Sequence, residues 1–488
     1  MEMCIMKLKD ILNEIKITKK ANYKPELEIK SIHVDSREVQ EGGLFVCIIG
    51  ENNDGHEFAL DVVKKGVYAV ITSKELDLGV SQIVVENTSE AVSKIAANFY
   101  DNPTKKLNVI GITGTNGKTT STFIVKHILD EVGEKCGLIG TIGVDTGNKF
   151  YPAVLTTPQA VDLQKHFAEM VSNGCKHVVM EVSSHALDLR RVDNIDFDIA
   201  AITNISQDHL DYHKDMGSYI KAKAKLFEMA NKTSIINFDD KYKGAFIDAS
   251  INRPFLYSCS SSVDNGLYAI IQRSHALGME FDVYYNKVKY PVSTKLIGKF
   301  NAYNILLALS IVINCGVDIS KAINVIESFN AVDGRFERVQ GIKDFTVIVD
   351  YAHTPDALEN VLRAARSITK NRLITVFGCG GDRDSTKRPL MGQISQQLSD
   401  YVIITSDNPR TEDPKRIIDD ILEGVKTNNC VKIIIDRENA IKEAIIIANV
   451  GDVILIAGKG HETYQIIGKD KIDFDDRKIA LKIYDEVR

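Results

Sequence analysis

The sequence predicts an α/β chain of three domains, and three observations carry that reading. A length of 488 residues corresponds to about three domains at ~150 residues each. Short apolar runs alternate with helical stretches over most of the chain, the pattern of βαβ units around parallel sheets. Two breaks divide that pattern: the polar stretch Asn102-Pro103-Thr104-Lys105-Lys106, which is expected to be a linker, and Asp333-Gly334-Arg335. The expected units are residues 1–103, 104–334 and 335–488.

The first unit begins with Ile5, Leu8, Ile11, Leu12 and Ile15 at helical spacing. Acidic residues lie among them, so the segment reads as an amphipathic helix and not a signal peptide. Strand-like runs follow at Ile29–Val34, Leu44–Ile49, Tyr68–Ile71 and Gln82–Val85, with helical stretches at Phe58–Lys65 and Thr88–Tyr100. Together they predict a smaller N-terminal α/β domain.

The second unit opens on its most informative feature. The apolar run Leu107–Ile110 leads into Gly111–Thr120, GITGTNGKTT. A strand, a glycine-rich turn, a lysine and a helix start then follow in order. Backbone N–H groups can close around phosphate oxygens, Lys118 adds a mobile positive charge, and Thr119 can hold Mg²⁺. The strict G-x-x-x-x-G-K-[ST] spacing is not met, because five residues separate Gly111 from Gly117 and Ile112 stands at the first glycine's place. Strands at His177–Glu181, Ile199–Thr203 and Thr233–Asn237 alternate with helices at Thr119–Val132, Val161–Asn173 and Ser218–Met229. This predicts a central, P-loop ATPase-like parallel sheet. Residues 254–296 read as an antiparallel meander, followed by a helix over Asn301–Asn314.

The third unit offers buried strands at Phe345–Tyr351, Leu373–Phe377, Val402–Thr405, Val431–Ile435 and Val453–Ile456, separated by helices. A doubly wound, Rossmann-like domain is expected.

Composition narrows the function. A net charge of −6 argues against a broad basic face for nucleic acid. The eight cysteines (Cys4, Cys47, Cys136, Cys175, Cys259, Cys315, Cys379 and Cys430) form no C-x-x-C pair and no metal spacing. They read as reduced, mostly buried thiols of a cytoplasmic protein. No apolar run approaches the ~18 residues that span a bilayer. A monomer is expected, with no membrane or nucleic-acid partner.

Several constellations carry chemistry. Glu181 ends an apolar strand, where open α/β sheets bind ligands, and suits Mg²⁺ beside a phosphate loop. Asn204, Asp208 and His209 follow the next strand and could orient a nucleotide or a second metal. On the helix that Ser218 is expected to cap, Lys221 and Lys225 share one face. Lys223 points to the apolar face, beside Tyr219, Leu226 and Phe227. The spacing leaves two readings open: a snorkelling lysine or one turned inward for a task. Tyr351 and His353, after Asp350, could contact a base or ribose. Three loops at strand ends offer Arg383, Asp407, Asn408, Arg410, Gly458 and Glu462, with Lys387 and Arg388 adding local positive charge. Two arginines, two acids and an amide suit a zwitterion with more than one carboxylate and amine.

In this order, GTNGKTT, Thr156-Thr157-Pro158, EVSSH, NISQDHLDYH, DYAHTPD, GCGGDRD, DNPR and AGKGHE resemble the Mur ligases of peptidoglycan synthesis. Within them the likeness is to the members that add diaminopimelate as the third residue. It covers all three units, and Asp35-Ser36-Arg37 is similar to the family's UDP-binding segment. The resemblance implies an ATP- and Mg²⁺-dependent carboxylate–amine ligase acting on UDP-N-acetylmuramoyl-dipeptide and meso-diaminopimelate through an acyl phosphate. Such phosphoryl transfer needs charge neutralisation more than a covalent protein nucleophile.

By motif position, the resemblance assigns ATP to Gly114, Thr115, Asn116, Gly117, Lys118, Thr119 and Thr120, with Asn301, Arg335, Asp350, Tyr351 and His353. It assigns metal to Thr119, Glu181, His209 and Lys223, the last as a carbamate, whose carboxylate can ligate Mg²⁺ where an ammonium would repel it. With Lys118, the residues Glu181, His209 and Lys223 make up the implied catalytic set. The nucleotide substrate falls to Ser36, Thr156, Thr157, Ser183 and Arg191. Leu189 stands where members often carry glutamine. The diaminopimelate pocket falls to Arg383, Asp407, Asn408, Pro409, Arg410, Gly458 and Glu462.

Three rival readings share part of this pattern. L-Lysine-adding members lack the arginine of DNPR, which is Arg410 here. Folylpolyglutamate synthetase shares the phosphate loop but not the N-terminal DSR unit or the DNPR loop. A nucleotide-binding regulatory module would not be expected to retain Lys118, Glu181, His209 and Lys223 together.

Overall fold

The computed structural model describes residues 5–50, 53–275, 277–426 and 429–487. Three main sheets follow one another along the chain. The first has five strands in the order Ile17–Ala21, Ser81–Val85, Ala69–Thr72, Leu44–Val46 and Ile32–His33. Its first pair is antiparallel and the rest are parallel. The N-terminal helix is shorter than expected, Leu8–Ile11 alone, because Met6–Lys7 instead pairs with Glu28–Ile29 as a small ribbon. That pairing also splits the expected run Ile29–Val34 into two short strands. Leu8, Ile11 and Leu12 are buried as the spacing required, whereas Ile5 is exposed. Cys4 lies outside the described residues.

The central sheet has eleven strands. Asn108–Thr113 lies in its middle, parallel to His177–Glu181 on one side and Phe197–Ile202 on the other. Alternate residues of these strands enter different cores: Ile110, Ile112 and Val179 on one face, Val109, Val178 and Met180 on the other. That is the period of two expected of a sheet covered on both sides. Residues 254–296 do not form a separate meander. Phe255–Ser258 pairs in parallel with Thr233–Asn237, so the three antiparallel strands Gly266–His275, Gly278–Tyr285 and Val288–Thr294 extend the central sheet. The helix Lys299–Asn314 packs on Lys118–Glu131 over one face.

The third sheet runs Glu337–Arg338, Thr346–Asp350, Val453–Ala457, Leu373–Phe377, Tyr401–Ile404 and Val431–Ile433, parallel except for the first pair. Val431–Ile433 is an exposed edge and not the buried strand expected. The stretch around Pro103 is no loose linker either. Pro103–Lys106 is one 3₁₀ turn with Pro103 and Thr104 buried, and the Thr104 hydroxyl donates to Asp196 at 2.8 Å. Among the described residues, no helix is long and apolar enough to cross a membrane.

Candidate active site

The phosphate loop is held open by glycine geometry and by neighbouring strand ends. Gly114 (φ +131°) and Gly117 (φ +88°) adopt backbone conformations that side chains rarely take. A Cβ on the first would strike the Thr203 hydroxyl, and one on the second the Asn304 amide oxygen. The Thr115 N–H donates to the Asn204 carbonyl at 2.8 Å, and the Asn116 N–H donates to the Asn204 side chain at 3.1 Å. Thr115 Oγ1 accepts from the Ser206 N–H and lies 3.1 Å from the Tyr219 hydroxyl. Helix Lys118–Glu131 starts directly after Gly117, so its free amides face the loop.

Lys118 Nζ folds back onto the carbonyls of Gly114 and Thr115, at 2.9 and 2.8 Å. Lys223 is buried behind the loop, 2% exposed, and donates to the Gly114 carbonyl at 2.8 Å. The face expected from its spacing is the one it occupies, with its Nζ 4.7 Å from the Tyr219 ring centre. Burial pushes both ammonium pKa values down, and for Lys223 the neighbouring Lys118 adds to the effect. Lys221 is exposed, and Lys225 pairs with Asp188 at the surface. The cap of this helix, Met216–Met229, is Asp215 and not Ser218. The Asp215 side chain accepts the Ser218 N–H, because the helix begins two residues before Ser218.

Glu181 is 1% exposed and accepts from the N–H and hydroxyl of Thr141, at 2.9 and 3.1 Å. Around it lie the expected substrate residues of this domain. Thr156 Oγ1 is 3.2 Å from that of Thr141. The Thr157 hydroxyl donates to the Glu181 carbonyl and the Ser183 hydroxyl. Arg191 donates to the Thr157 carbonyl at 3.4 Å, with its pKa lowered by burial. Leu189 is 41% exposed at the end of the short helix Ser184–Asp188. Ser36 sits apart in the N-terminal domain, where its carbonyl accepts from Lys65 and the neighbouring Asp35 and Arg37 grip one another.

His209 has φ +54° and lies 3.4 Å from the Asp208 carboxylate. Burial holds its pKa down at about 3. The ring is set edge-on to His185, with centres 4.9 Å apart.

Glu181 and Thr119 present oxygens to one cavity, the donor type Mg²⁺ requires. Among the described residues no group of three His, Cys, Asp or Glu could hold a metal alone. His209 offers a nitrogen, a poorer partner for Mg²⁺. Lys223 as an ammonium offers only repulsion.

This cavity, about 830 Å³, runs between the central and C-terminal sheets and is lined from both. From the C-terminal side come Arg335, Asp350, Tyr351 and His353. The Arg335 guanidinium lies 4.3 Å from the Tyr351 ring centre and donates to Thr119 Oγ1 at 3.1 Å. Asp350 is turned inward, accepting the N–H groups of Phe336 and Ala352, and burial raises its carboxyl to about 6. His353 Nδ1 lies 2.8 Å from the Tyr351 carbonyl, and burial lowers its pKa to about 4. Asn301 bonds to Asn304 at 3.0 Å on the central side. The Asn116 amide donates across the cleft to Asp356 at 2.8 Å.

The last expected group converges at the carboxyl ends of three adjacent parallel strands, but as a separate cluster. Asn408 donates to Glu462 at 2.8 Å, and burial raises the Glu462 pKa. The Asp407 carboxylate accepts the Asn408 N–H at 2.6 Å. Arg410, after Pro409, has φ +53° and donates to the Gly381 carbonyl at 2.6 Å. Arg383 donates to its neighbour's carbonyl, that of Asp382, at 2.9 Å. The Gly458 N–H donates to the Asp350 carbonyl, joining this cluster to the cavity.

Sequence reasoning missed the buried cations beneath the cluster. Lys459 is fully buried and donates to Asn408 and Glu462, at 3.2 and 3.1 Å. Arg437 pairs with Asp476, both fully buried, and lies 4.0 Å from Asp407. The positive charge expected of Arg388 is also internal, matched by Glu412 and Asp420 at 2.8 Å each. Lys459 could have been found within the AGKGHE motif; Arg437 carries no local signal.

Comparison with known proteins closes the identification. Residues 28–100 match the catalytic domain of the Mur ligase family, residues 112–312 the Mur ligase middle domain, and residues 334–460 its glutamate ligase domain. The chain is 44% identical over 486 residues to UDP-N-acetylmuramoyl-L-alanyl-D-glutamate–2,6-diaminopimelate ligase of Caldanaerobacter subterraneus subsp. tengcongensis, covering 99% of both chains. It is 46% identical over 490 residues to such a ligase from Clostridium acetobutylicum, covering 99% of this chain and all of that one. A solved structure of a UDP-N-acetylmuramoyl-L-alanyl-D-glutamate–2,6-diaminopimelate ligase superposes with a TM-score of 0.70 at 31% identity, covering 99% of each chain. With three family domains matched in order and near-complete coverage of such relatives, the chain belongs to the Mur ligase family of ATP-dependent ligases.

Proposed function

We propose that this chain joins meso-2,6-diaminopimelate to the D-glutamate of UDP-N-acetylmuramoyl-L-alanyl-D-glutamate, in cytoplasmic synthesis of peptidoglycan precursors, acting as a monomer. The observation that carries the reading is the joined cluster Asp407, Asn408 and Glu462, with Arg410 two residues on in the same loop, in a chain matched end to end by diaminopimelate-adding relatives. In this reading the D-glutamate carboxylate oxygen attacks the γ-phosphorus of ATP, and ADP leaves. The amine of diaminopimelate then attacks the acyl phosphate, loses a proton, and phosphate departs as the amide forms.

Lys118 and the amides at the start of its helix hold the transferring phosphoryl oxygens, Lys118 exchanging its carbonyl partners for phosphate. Thr119 and Glu181 would hold Mg²⁺, His209 would stand at a second ion, and a carbamylated Lys223 would offer a carboxylate ligand. Mg²⁺, when bound, supplies neutralising charge to those oxygens. Arg335, Tyr351, His353, Asp350 and Asn301 enclose the nucleoside. Thr156, Thr157, Ser183, Arg191 and Ser36 orient the UDP-linked substrate. Arg383 and Arg410 hold the carboxylates of the incoming amino acid, and Asp407 and Glu462 its distal ammonium. Residues 1–103, 104–334 and 335–488 serve as the UDP-substrate, ATP and amino-acid domains.

The test is product mass after incubation with ATP, Mg²⁺, the UDP-linked dipeptide and an equimolar mixture of meso-diaminopimelate and L-lysine. A product carrying diaminopimelate is expected. A lysine product would overturn the substrate assignment in favour of a lysine-adding ligase.

A further inference from the structure

Arg388 takes part in neither the cavity nor the amino-acid cluster. It lies on helix Lys387–Leu398 with its side chain 2% exposed. Its two terminal nitrogens grip both oxygens of Glu412, at 2.9 and 2.8 Å, a bidentate pair. One of them also donates to Asp420 at 2.8 Å, and the other reaches the Gly380 carbonyl at 3.4 Å.

Glu412 in turn accepts the Asp382 N–H. The Asp382 carboxylate receives the N–H and hydroxyl of Thr411, at 3.2 and 2.8 Å. The Gly381 N–H donates to the Asn408 carbonyl at 2.9 Å, and Arg410 donates to the Gly381 carbonyl. The loop after Phe377 carries Arg383, and the loop after Ile404 carries Arg410. The first loop has no regular structure through Arg383, whereas Arg410 bridges to Ile467, its N–H donating to the Ile466 carbonyl at 3.1 Å and its carbonyl accepting the Gly468 N–H at 2.7 Å; Asp382 and Arg410 both have positive φ. Through this network, with Arg388 at its buried centre, the loop that carries Arg383 is held against the separately anchored Arg410.

We propose that Arg388, through Glu412, is a positioning residue that sets the spacing of Arg383 and Arg410, and so the selectivity for an amino acid with two carboxylates. The inference rests on the diaminopimelate reading above. Lysine cannot replace Arg388, because an ammonium cannot span both oxygens of Glu412 while reaching Asp420.

The experiment measures steady-state constants of Arg388→Lys and Glu412→Gln for meso-diaminopimelate, L-lysine, ATP and the UDP-linked dipeptide. Glu412→Gln keeps the side chain's size and leaves Arg388 paired with Asp420, so a folded variant is available even if Arg388→Lys unfolds. The expected result is a rise of ~10-fold or more in KM for diaminopimelate, with KM for ATP and the dipeptide, and kcat, within about twofold of wild type. The preference for diaminopimelate over lysine should fall in step. An unchanged diaminopimelate KM in folded Glu412→Gln overturns the proposal, and so does an equal rise in all three KM values. Wild type preferring lysine overturns the substrate reading instead; the positioning role then stands or falls on whether the variants raise the KM for lysine alone.

Discussion

Lys118 and Lys223 donate to the same acceptor, the Gly114 carbonyl, at 2.9 and 2.8 Å. Two buried cations on one oxygen repel each other, and each lowers the other's chance of staying charged. The two lysines are therefore expected to have different fates: one kept as a cation by phosphate, the other neutral and reactive.

Lys118→Ala should abolish acyl-phosphate formation while leaving the fold intact. Loss of a charge that meets a transferring phosphoryl group costs ~10²-fold or more in rate. Phosphate release in a variant with an unchanged circular dichroism spectrum is the check. Near-normal turnover would remove Lys118 from the chemistry.

Burial, and then the neighbouring Lys118, push the Lys223 pKa well below the usual amine range and so favour the free amine, the form that adds carbon dioxide to give a carbamate. Lys223→Ala should lose activity and regain part of it with added formate or acetate. Lys221→Ala and Lys225→Ala should be mild, since one is solvent-exposed and the other pairs at the surface. Carbon-13 NMR after labelling with bicarbonate should show one carbamate signal, absent in Lys223→Ala. A fully active enzyme without that signal would sink the idea.

Arg410→Ala should weaken use of diaminopimelate roughly 10- to 100-fold. Loss of a charged hydrogen bond is worth ~1.5–3 kcal/mol, at ~1.4 kcal/mol per decade. Lysine activity need not appear, because the remaining pocket still expects a second carboxylate. The measurement is the ratio of kcat/KM for the two amino acids in wild type and variant, and an unmoved ratio refutes the role.

Asp350 gives a pH dependence of stability. Burial raises its carboxyl from 3.8 to about 6, opposed by Arg335 and by the amides of Phe336 and Ala352. An acid raised on folding costs nothing while protonated in both states. Its cost grows as pH climbs through the window from about 4 to about 6 and is complete above it. At ~1.36 kcal/mol per unit, that cost is about 3 kcal/mol. The difference in urea unfolding free energy between wild type and Asp350→Asn should therefore move against wild type by about that amount from about pH 4 to about pH 7. A difference that stays flat would show that the carboxyl titrates normally.

The legible parts of this molecule were the local ones. Strand, glycine turn and helix at Asn108–Glu131 are encoded by neighbours in sequence, and so is the inward face of Lys223, set by helical periodicity. The motifs DNPR and GKGHE marked Arg410 and Glu462 because each motif is a single loop. Hidden were features made by distant residues. Arg388 offers only local positive charge, and Arg437 no signal at all, until Glu412, Asp420 and Asp476 are folded beside them. Asp215 displaced Ser218 as a cap because both residue types cap well and only the chain path chooses. The strands after Pro254 looked self-contained because antiparallel pairing is local, while their parallel junction to Thr233–Asn237 is not.

The bond from Asn116 to Asp356 spans the cleft, with Arg335 reaching over it from the opposite wall to Thr119. In the proposed reading, a nucleotide seated there would be clasped by two bodies at once, as a letter is by the flaps of an envelope. Release of spent nucleotide would go with loosening of these two bonds, so the parting of the sheets would belong to the catalytic cycle itself.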